Sequence, residues 1–325
     1  MKRALVVLFV VVSTLAAFAG GGGESSEKPE AVTVVLDWTI NTNHTGLYVA
    51  RDLGFFEEEG LDVSIEFPPE TGAAGLVLSG KAEFAVSYQE EVTYARAAGN
   101  ALKAVAAVIQ HNTSGFASRS AEDIRRPRDF EGKAYGGWGS PIEEAMVRAL
   151  VEGDGGDFSK VKIVPIGSMD FFAATAGDID FVWIFRGWDG IAAELKGIDI
   201  NYIPLATEAV LDYYTPVLIA RDGLLQENPE LVRAFISGAA RGYRYAVENP
   251  EEAADILLEA APELDRELVV ASQRYLAGEY TAGAPRWGEM KLEVWERYAD
   301  WLKENGLLEG EFVPEAAFTN EFLPR

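Results

Sequence analysis

Residues 32–36 form an apolar, β-branched run that predicts a buried strand. Similar runs predict strands over 63–67, 84–87 and 102–110. Between them the spacing predicts helical stretches over 46–53, 73–78 and 90–98. A second set follows: a strand at 114–118, a charged stretch over 120–131 and a strand ending at 134–136. Pro141 then opens a helix that runs to 152. Strands at 161–165, 181–184, 201–204 and 216–220 and helices at 171–176 and 188–196 complete the set. Beyond Pro229 the pattern is helical, over 229–248, 250–259, 265–276 and 292–304. Leu231, Phe235, Ile236, Ala239 and Tyr243 recur there as one core face, and Trp287, Trp295, Tyr298 and Trp301 are expected in the core among such positions.

Alternation of strand and helix with short links predicts parallel α/β sheets with right-handed crossovers. Two such sets followed by helices predict two lobes, one of residues 31–115 plus 215–325 and one of residues 116–214. Small-molecule sites favour domain interfaces, so a ligand cleft is expected between them.

The strand ends facing that cleft carry a consistent set of side chains. After the first strand come Asp37 and Trp38, then Asn43 and His44, with Asn43 or Thr45 placed to cap the next helix. Ser87, Tyr88 and Gln89 follow the strand at 84–87. Gly136, Gly137, Trp138, Gly139 and Ser140 lie between a strand and the Pro141 helix, where free N–H groups suit an anion or a carbonyl. That turn lacks the Gly-Lys-Ser/Thr ending of a nucleotide-binding loop. Trp183, Arg186, Trp188 and Asp189 form a fourth group, and Asp212, Tyr213 and Tyr214 a fifth. Aromatic faces on both walls suit a flat ligand. The candidate in-plane polar partners for such a ligand are Asp37, Asp189, Asn43, Gln89 and Glu90, while Arg186 keeps an anionic ligand open. Asp189 has a second role open to it, as a charge at a helix start.

Composition narrows the function. The chain has 325 residues, 48% of them hydrophobic, enough for two lobes with real cores. A net charge of −24 makes nucleic acid an unfavourable partner and repels anionic lipid. Zero Cys excludes disulfides, Cys-ligated zinc and thiol nucleophiles, and the two His, His44 and His111, make a His-based metal site thin. No cofactor is expected. Residues 1–19 have the shape of a signal peptide: Lys2 and Arg3, an apolar core from Ala4 to Val12, then Ala17-Phe18-Ala19. Residues 20–30 read as a flexible linker. Glycines, Gly21 among them, stand where a lipoprotein carries its anchoring Cys, so an exported, unlipidated chain is expected.

The stretch Asp37-Trp38-x-x-Asn41-x-x-His44, with Gly54-Phe55-Phe56-Glu57-Glu58-Glu59-Gly60-Leu61-Asp62-Val63, Ser87-Tyr88-Gln89 and Phe318-Thr319-Asn320-Glu321-Phe322-Leu323, resembles substrate-binding proteins for thiamine pyrimidine precursors. These serve ABC importers, and the fungal thiamine-pyrimidine synthase shares their superfamily. The resemblance covers nearly the whole mature chain. It implies a two-lobed, type II periplasmic-binding-protein fold that closes by hinge motion on a pyrimidine such as the hydroxymethyl or formylaminomethyl form. It implies a permease partner and action as a monomer. It gives Trp38 a stacking role, puts Tyr88 in the wall and aligns Asp189 with an acidic cleft position. Against the synthase, Tyr88 occupies the position of the lysine that holds pyridoxal phosphate, Val92 that of its histidine, and Tyr213-Tyr214 falls in its Cys-rich segment, which implies binding without turnover. Riboflavin, a small sulfonate or an exported pyrimidine-metabolising enzyme are the alternatives.

Overall fold

The computed structural model describes residues 28–325 apart from Glu70 and Ser168. The signal peptide and most of the linker expected from the sequence lie outside the described residues. No helix among those described is long and apolar enough to cross a membrane.

The chain lays down β1 (Glu30–Val35), β2 (Leu61–Glu66), β3 (Phe84–Ser87) and β4 (Leu102–Ala107). It then crosses to β5 (Ser114–Arg119), β6 (Ala134–Gly137), β7 (Lys162–Pro165), β8 (Phe181–Phe185) and β9 (Ile200–Pro204), and returns for β10 (Val217–Arg221). Two five-stranded sheets result, ordered β2-β1-β3-β10-β4 and β7-β6-β8-β5-β9. Each is mixed, not parallel as the alternation predicts. β10 pairs antiparallel with β3 and β4, and β5 pairs antiparallel with β8 and β9. The physical reason is connectivity: each exceptional strand enters its sheet from the other sheet, with no crossover helix to turn it parallel.

The first sheet is covered on both faces at its centre, so β3 is buried at every position, while the edge strand β2 alternates buried and exposed residues. Val34, Phe84 and Val86 face one core with Leu47, Phe235 and Tyr243. Val35, Ala85 and Val217 face the other with Tyr214, Trp295 and Tyr298. Helix Pro229–Glu248 buries the expected Leu231, Phe235, Ile236, Ala239 and Tyr243, and Phe235 stacks on Phe84 with centroids 3.9 Å apart. Short helices at Phe55–Glu58, Asp222–Glu227 and Pro314–Ala317 carry too few turns to show a period.

Register decides which strand ends meet. Val217 opens β10 opposite Ser87, the last residue of β3, and Ser114 opens β5 opposite Phe185, the last residue of β8. The carboxyl ends of β1, β3 and β4, and those of β6 and β8, therefore all lie at the sheet edges joined by the connections 108–113 and 205–216. These two connections are tied together. The Asn112 N–H donates to Asp212 Oδ1 at 2.9 Å, and His111 Nδ1 lies 2.8 Å from Asp212 Oδ2.

Candidate functional site

β1 delivers Asp37 and Trp38 to the first of these edges. A turn, Thr42–His44, follows. Its cap is Asn41, whose backbone is extended and whose side chain accepts from the Asn43 N–H at 2.9 Å. The helix Thr45–Asp52 continues directly from this turn with His44 at its cap position and no side-chain cap bond, so neither Asn43 nor Thr45 caps it as the sequence predicts. His44 Nδ1 accepts from the Asn41 N–H at 3.2 Å, and His44 Nε2 lies 2.6 Å from Asp37 Oδ1. A nitrogen that accepts cannot also carry the proton, so this pattern assigns the neutral Nε2–H tautomer donating to Asp37. Burial works to raise the Asp37 carboxyl, but the hydrogen bonds from His44 and Tyr88 hold it below the ordinary carboxylate value. Burial and the Asp37 charge push the Tyr88 phenol well up. The turn is held from behind. Tyr243 Oη donates to the Asn43 carbonyl at 2.7 Å and Tyr280 Oη to the Thr42 carbonyl at 2.5 Å. Trp38 stands 44% exposed beside it.

Gln89, Tyr213 and Tyr214 turn away from this group. Gln89 is fully buried and its Oε1 accepts from the Tyr214 N–H at 2.9 Å, bracing the segment that returns into β10. Tyr214 Oη accepts from the Lys291 N–H, and Tyr213 Oη donates to Glu90 Oε1 at 2.6 Å. Burial pushes the Glu90 carboxyl up to about 7, and its Oε2 is buried without a partner.

On the second sheet β6 ends at Gly137, and Trp138 follows, 48% exposed and packed on Trp183 with centroids 5.5 Å apart. The Trp183 indole N–H is buried with no hydrogen-bond partner. The Gly136–Ser140 turn does not offer its N–H groups to a ligand. The N–H groups of Trp138, Gly139 and Ser140 all donate to the Glu143 carboxylate, at 3.1, 2.9 and 2.9 Å, and Tyr135 Oη donates to it at 2.6 Å. Ser140 caps the helix Pro141–Gly153, and with Glu143 it forms a reciprocal capping box. The Ser-x-x-Glu spacing is the sequence signal for Glu143.

Arg186–Gly190 forms one wide helical turn before the helix Ile191–Leu195. Burial pushes the Asp189 carboxyl up to about 6, and the charge of Asp170 adds to the rise. Trp188 and Asp189 are half-buried. Arg186 pairs with Glu194 and lines a separate cavity with Ile200 and Tyr202 at the β9 edge. Ser272, on the helix Arg266–Glu279, joins the two halves. Its hydroxyl donates to the Gly187 carbonyl and, its proton being used there, accepts from Thr42 Oγ1 at 2.5 Å. A Cβ on Gly187 would lie 3.0 Å from the Leu276 side chain and 3.1 Å from that of Tyr275, so a larger residue would crowd this approach. Among the described residues no cluster of three or more His, Asp or Glu is placed to hold a metal ion.

Several known proteins share this architecture. The model of the family described as NMT1/THI5 like matches residues 41–253. The formylaminopyrimidine-binding protein of Halalkalibacterium halodurans is 32% identical over 96% of this chain and 97% of its own length. The riboflavin-binding protein RibY of Chloroflexus aurantiacus is 27% identical over 91% of this chain and 86% of its own length. Among solved structures, the alkanesulfonate-binding protein SsuA of Xanthomonas axonopodis pv. citri bound to MOPS superposes with a TM-score of 0.68 at 15% identity, covering 90% of this chain and 99% of that one. At that identity the match speaks to fold alone. The chain has the two-lobed periplasmic-binding-protein fold that the resemblance implied.

Proposed function

The chain belongs to the NMT1/THI5-like family, and from that premise we propose that it is the solute-binding protein of an ABC importer, closing on a thiamine-precursor pyrimidine without chemical turnover. The observation that carries this reading is the pair of half-exposed indoles, Trp38 after β1 and Trp138 after β6, on the two edges joined by the connections. Single exposed hydrophobics are ordinary, but one large aromatic on each facing edge suits a flat ring taken between two lobes. The connections 108–113 and 205–216 serve as the hinge. Asp37, set by His44, and Asp189, raised by burial, supply acceptors of different strength for ring-plane donors. The absence of turnover is supported at Tyr88. Its side chain carries no amine and so cannot form the imine that a lysine would form with pyridoxal phosphate.

Native mass spectrometry and calorimetry test this. The expected result is stoichiometric binding of formylaminopyrimidine, recovered unchanged after incubation with or without pyridoxal phosphate. Tighter binding of riboflavin or of an alkanesulfonate, or the appearance of product, would overturn it.

A further inference from the structure

We propose that Glu143 is a specificity-determining residue: its carboxylate fills the anion seat beside Trp138 from within and so restricts the cleft to ligands that carry no phosphate or sulfonate group. This rests on the heterocycle-binding reading above.

The seat is defined by its present occupant. Glu143 is only 2% exposed, and four donors converge on its two oxygens. Tyr135 Oη and the Trp138 N–H reach Oε1, and the N–H groups of Gly139 and Ser140 reach Oε2. A fan of backbone N–H groups and one hydroxyl around a group carrying negative charge is the donor arrangement that phosphate and sulfonate oxygens take. Gly137 keeps it open. A Cβ there would stand 2.5 Å from Glu143 Oε1 and 2.8 Å from the Tyr135 ring, so any side chain would push the carboxylate out. The seat follows directly on β6, beside exposed Trp138, at the edge where ligand is proposed to enter.

An incoming phosphate would have to displace Glu143 and leave a buried carboxylate without donors, at a cost well above that of losing one hydrogen bond. The donors of the seat are three backbone N–H groups and one hydroxyl, with no cation among them, and Arg186 is already paired with Glu194. Glu143 thus leaves stacking and ring-plane hydrogen bonds as the means of recognition.

The test compares wild type with Glu143→Ser, which empties the seat and leaves its donors. Melting is followed in chloride, formate and inorganic phosphate at matched ionic strength. Calorimetry then uses 4-amino-5-hydroxymethyl-2-methylpyrimidine and its phosphate ester. Formate and phosphate are expected to raise the melting temperature of the variant and not of the wild type. The preference of the wild type for the alcohol over the ester is expected to fall by about tenfold or more in the variant, as one charge-assisted site is opened. Should Glu143→Ser fail to fold, Glu143→Ala empties the same seat with a better helix former and should show the same anion response. A folded variant that is indifferent to anions and rejects the ester as the wild type does would overturn the proposal. If the alcohol binds neither protein while the anion response is present, the pyrimidine reading falls and the filled seat stands. If the alcohol binds and the anion response is absent, the filled seat falls and the pyrimidine reading stands.

Discussion

Replacing Glu90 with glutamine should change how the stability of this protein depends on pH. Glu90 stands in the first turn of the helix Gln89–Ala97, receives Tyr213 Oη at 2.6 Å on Oε1, and buries Oε2 without a partner. Burial raises its pKa from 4.5 to about 7. A raised carboxyl binds more protons folded than unfolded between those values, so stability falls as pH rises through that window. The contribution is fully present below 4.5 and lost above about 7. At about 1.36 kcal/mol per pH unit, the interval from 4.5 to about 7 corresponds to about 3 kcal/mol. Glutamine is neutral throughout and still accepts from Tyr213. Glu90→Gln should therefore gain on the wild type steadily from about pH 5 to about pH 8, with the difference approaching that figure at the alkaline end. Asp189 titrates with the same sign in both proteins, so the difference between them isolates Glu90. Urea unfolding across that range, read as shifts in midpoint at constant slope, measures it. Parallel pH profiles for the two proteins would refute the assignment of a buried, proton-binding Glu90.

Three further outcomes follow from the same geometry. Pyrimidine affinity measured by calorimetry should weaken about tenfold between about pH 7 and pH 5 as Asp189 protonates through about 6, and Asp189→Asn should flatten that profile; an unchanged slope would remove Asp189 from the ligand contacts. Trp38→Ala and Trp138→Ala should each weaken the same ligand by roughly 0.5–1.5 kcal/mol beyond the lost contact area, with wild-type melting curves in the absence of ligand; an effect at one Trp alone would refute a sandwich between lobes. Ser272→Ala should lengthen and broaden the distance between spin labels placed on the two sheets, because it removes the bridge from Thr42 to the Gly187 carbonyl, and Ser272→Thr should restore it; identical distance distributions would mean that the bridge does not set the lobes.

The strands and long helices were legible because their signals are local. The run at 84–87 is apolar up to its last residue, Ser87, and both faces of that strand are covered. Helix Pro229–Glu248 has Asn228 at its cap, Pro at its first position and a repeating apolar face, so its bounds were readable to the residue. The aromatic and acidic residues at the strand ends were also visible, since a strand followed by a turn exposes whatever comes next. What those residues do was decided by partners far along the chain. Gln89 looks like a cleft residue until Tyr214, 125 positions away, takes its carbonyl oxygen. The glycine turn reads as an open set of donors until Glu143 occupies them, and a capping motif in sequence does not say whether its carboxylate folds inward. Thr42 and Ser272 lie 230 residues apart, and no periodicity links them. The sense of β10 was equally hidden, because strand direction depends on the route by which the chain re-enters a sheet. Local pattern sets which segments are strand or helix and which side chains stand at their ends. Tertiary structure alone determines which of those polar groups are spent on one another and which are left for a ligand, because a hydrogen-bonding group can be satisfied by any partner that the fold brings within about 3 Å.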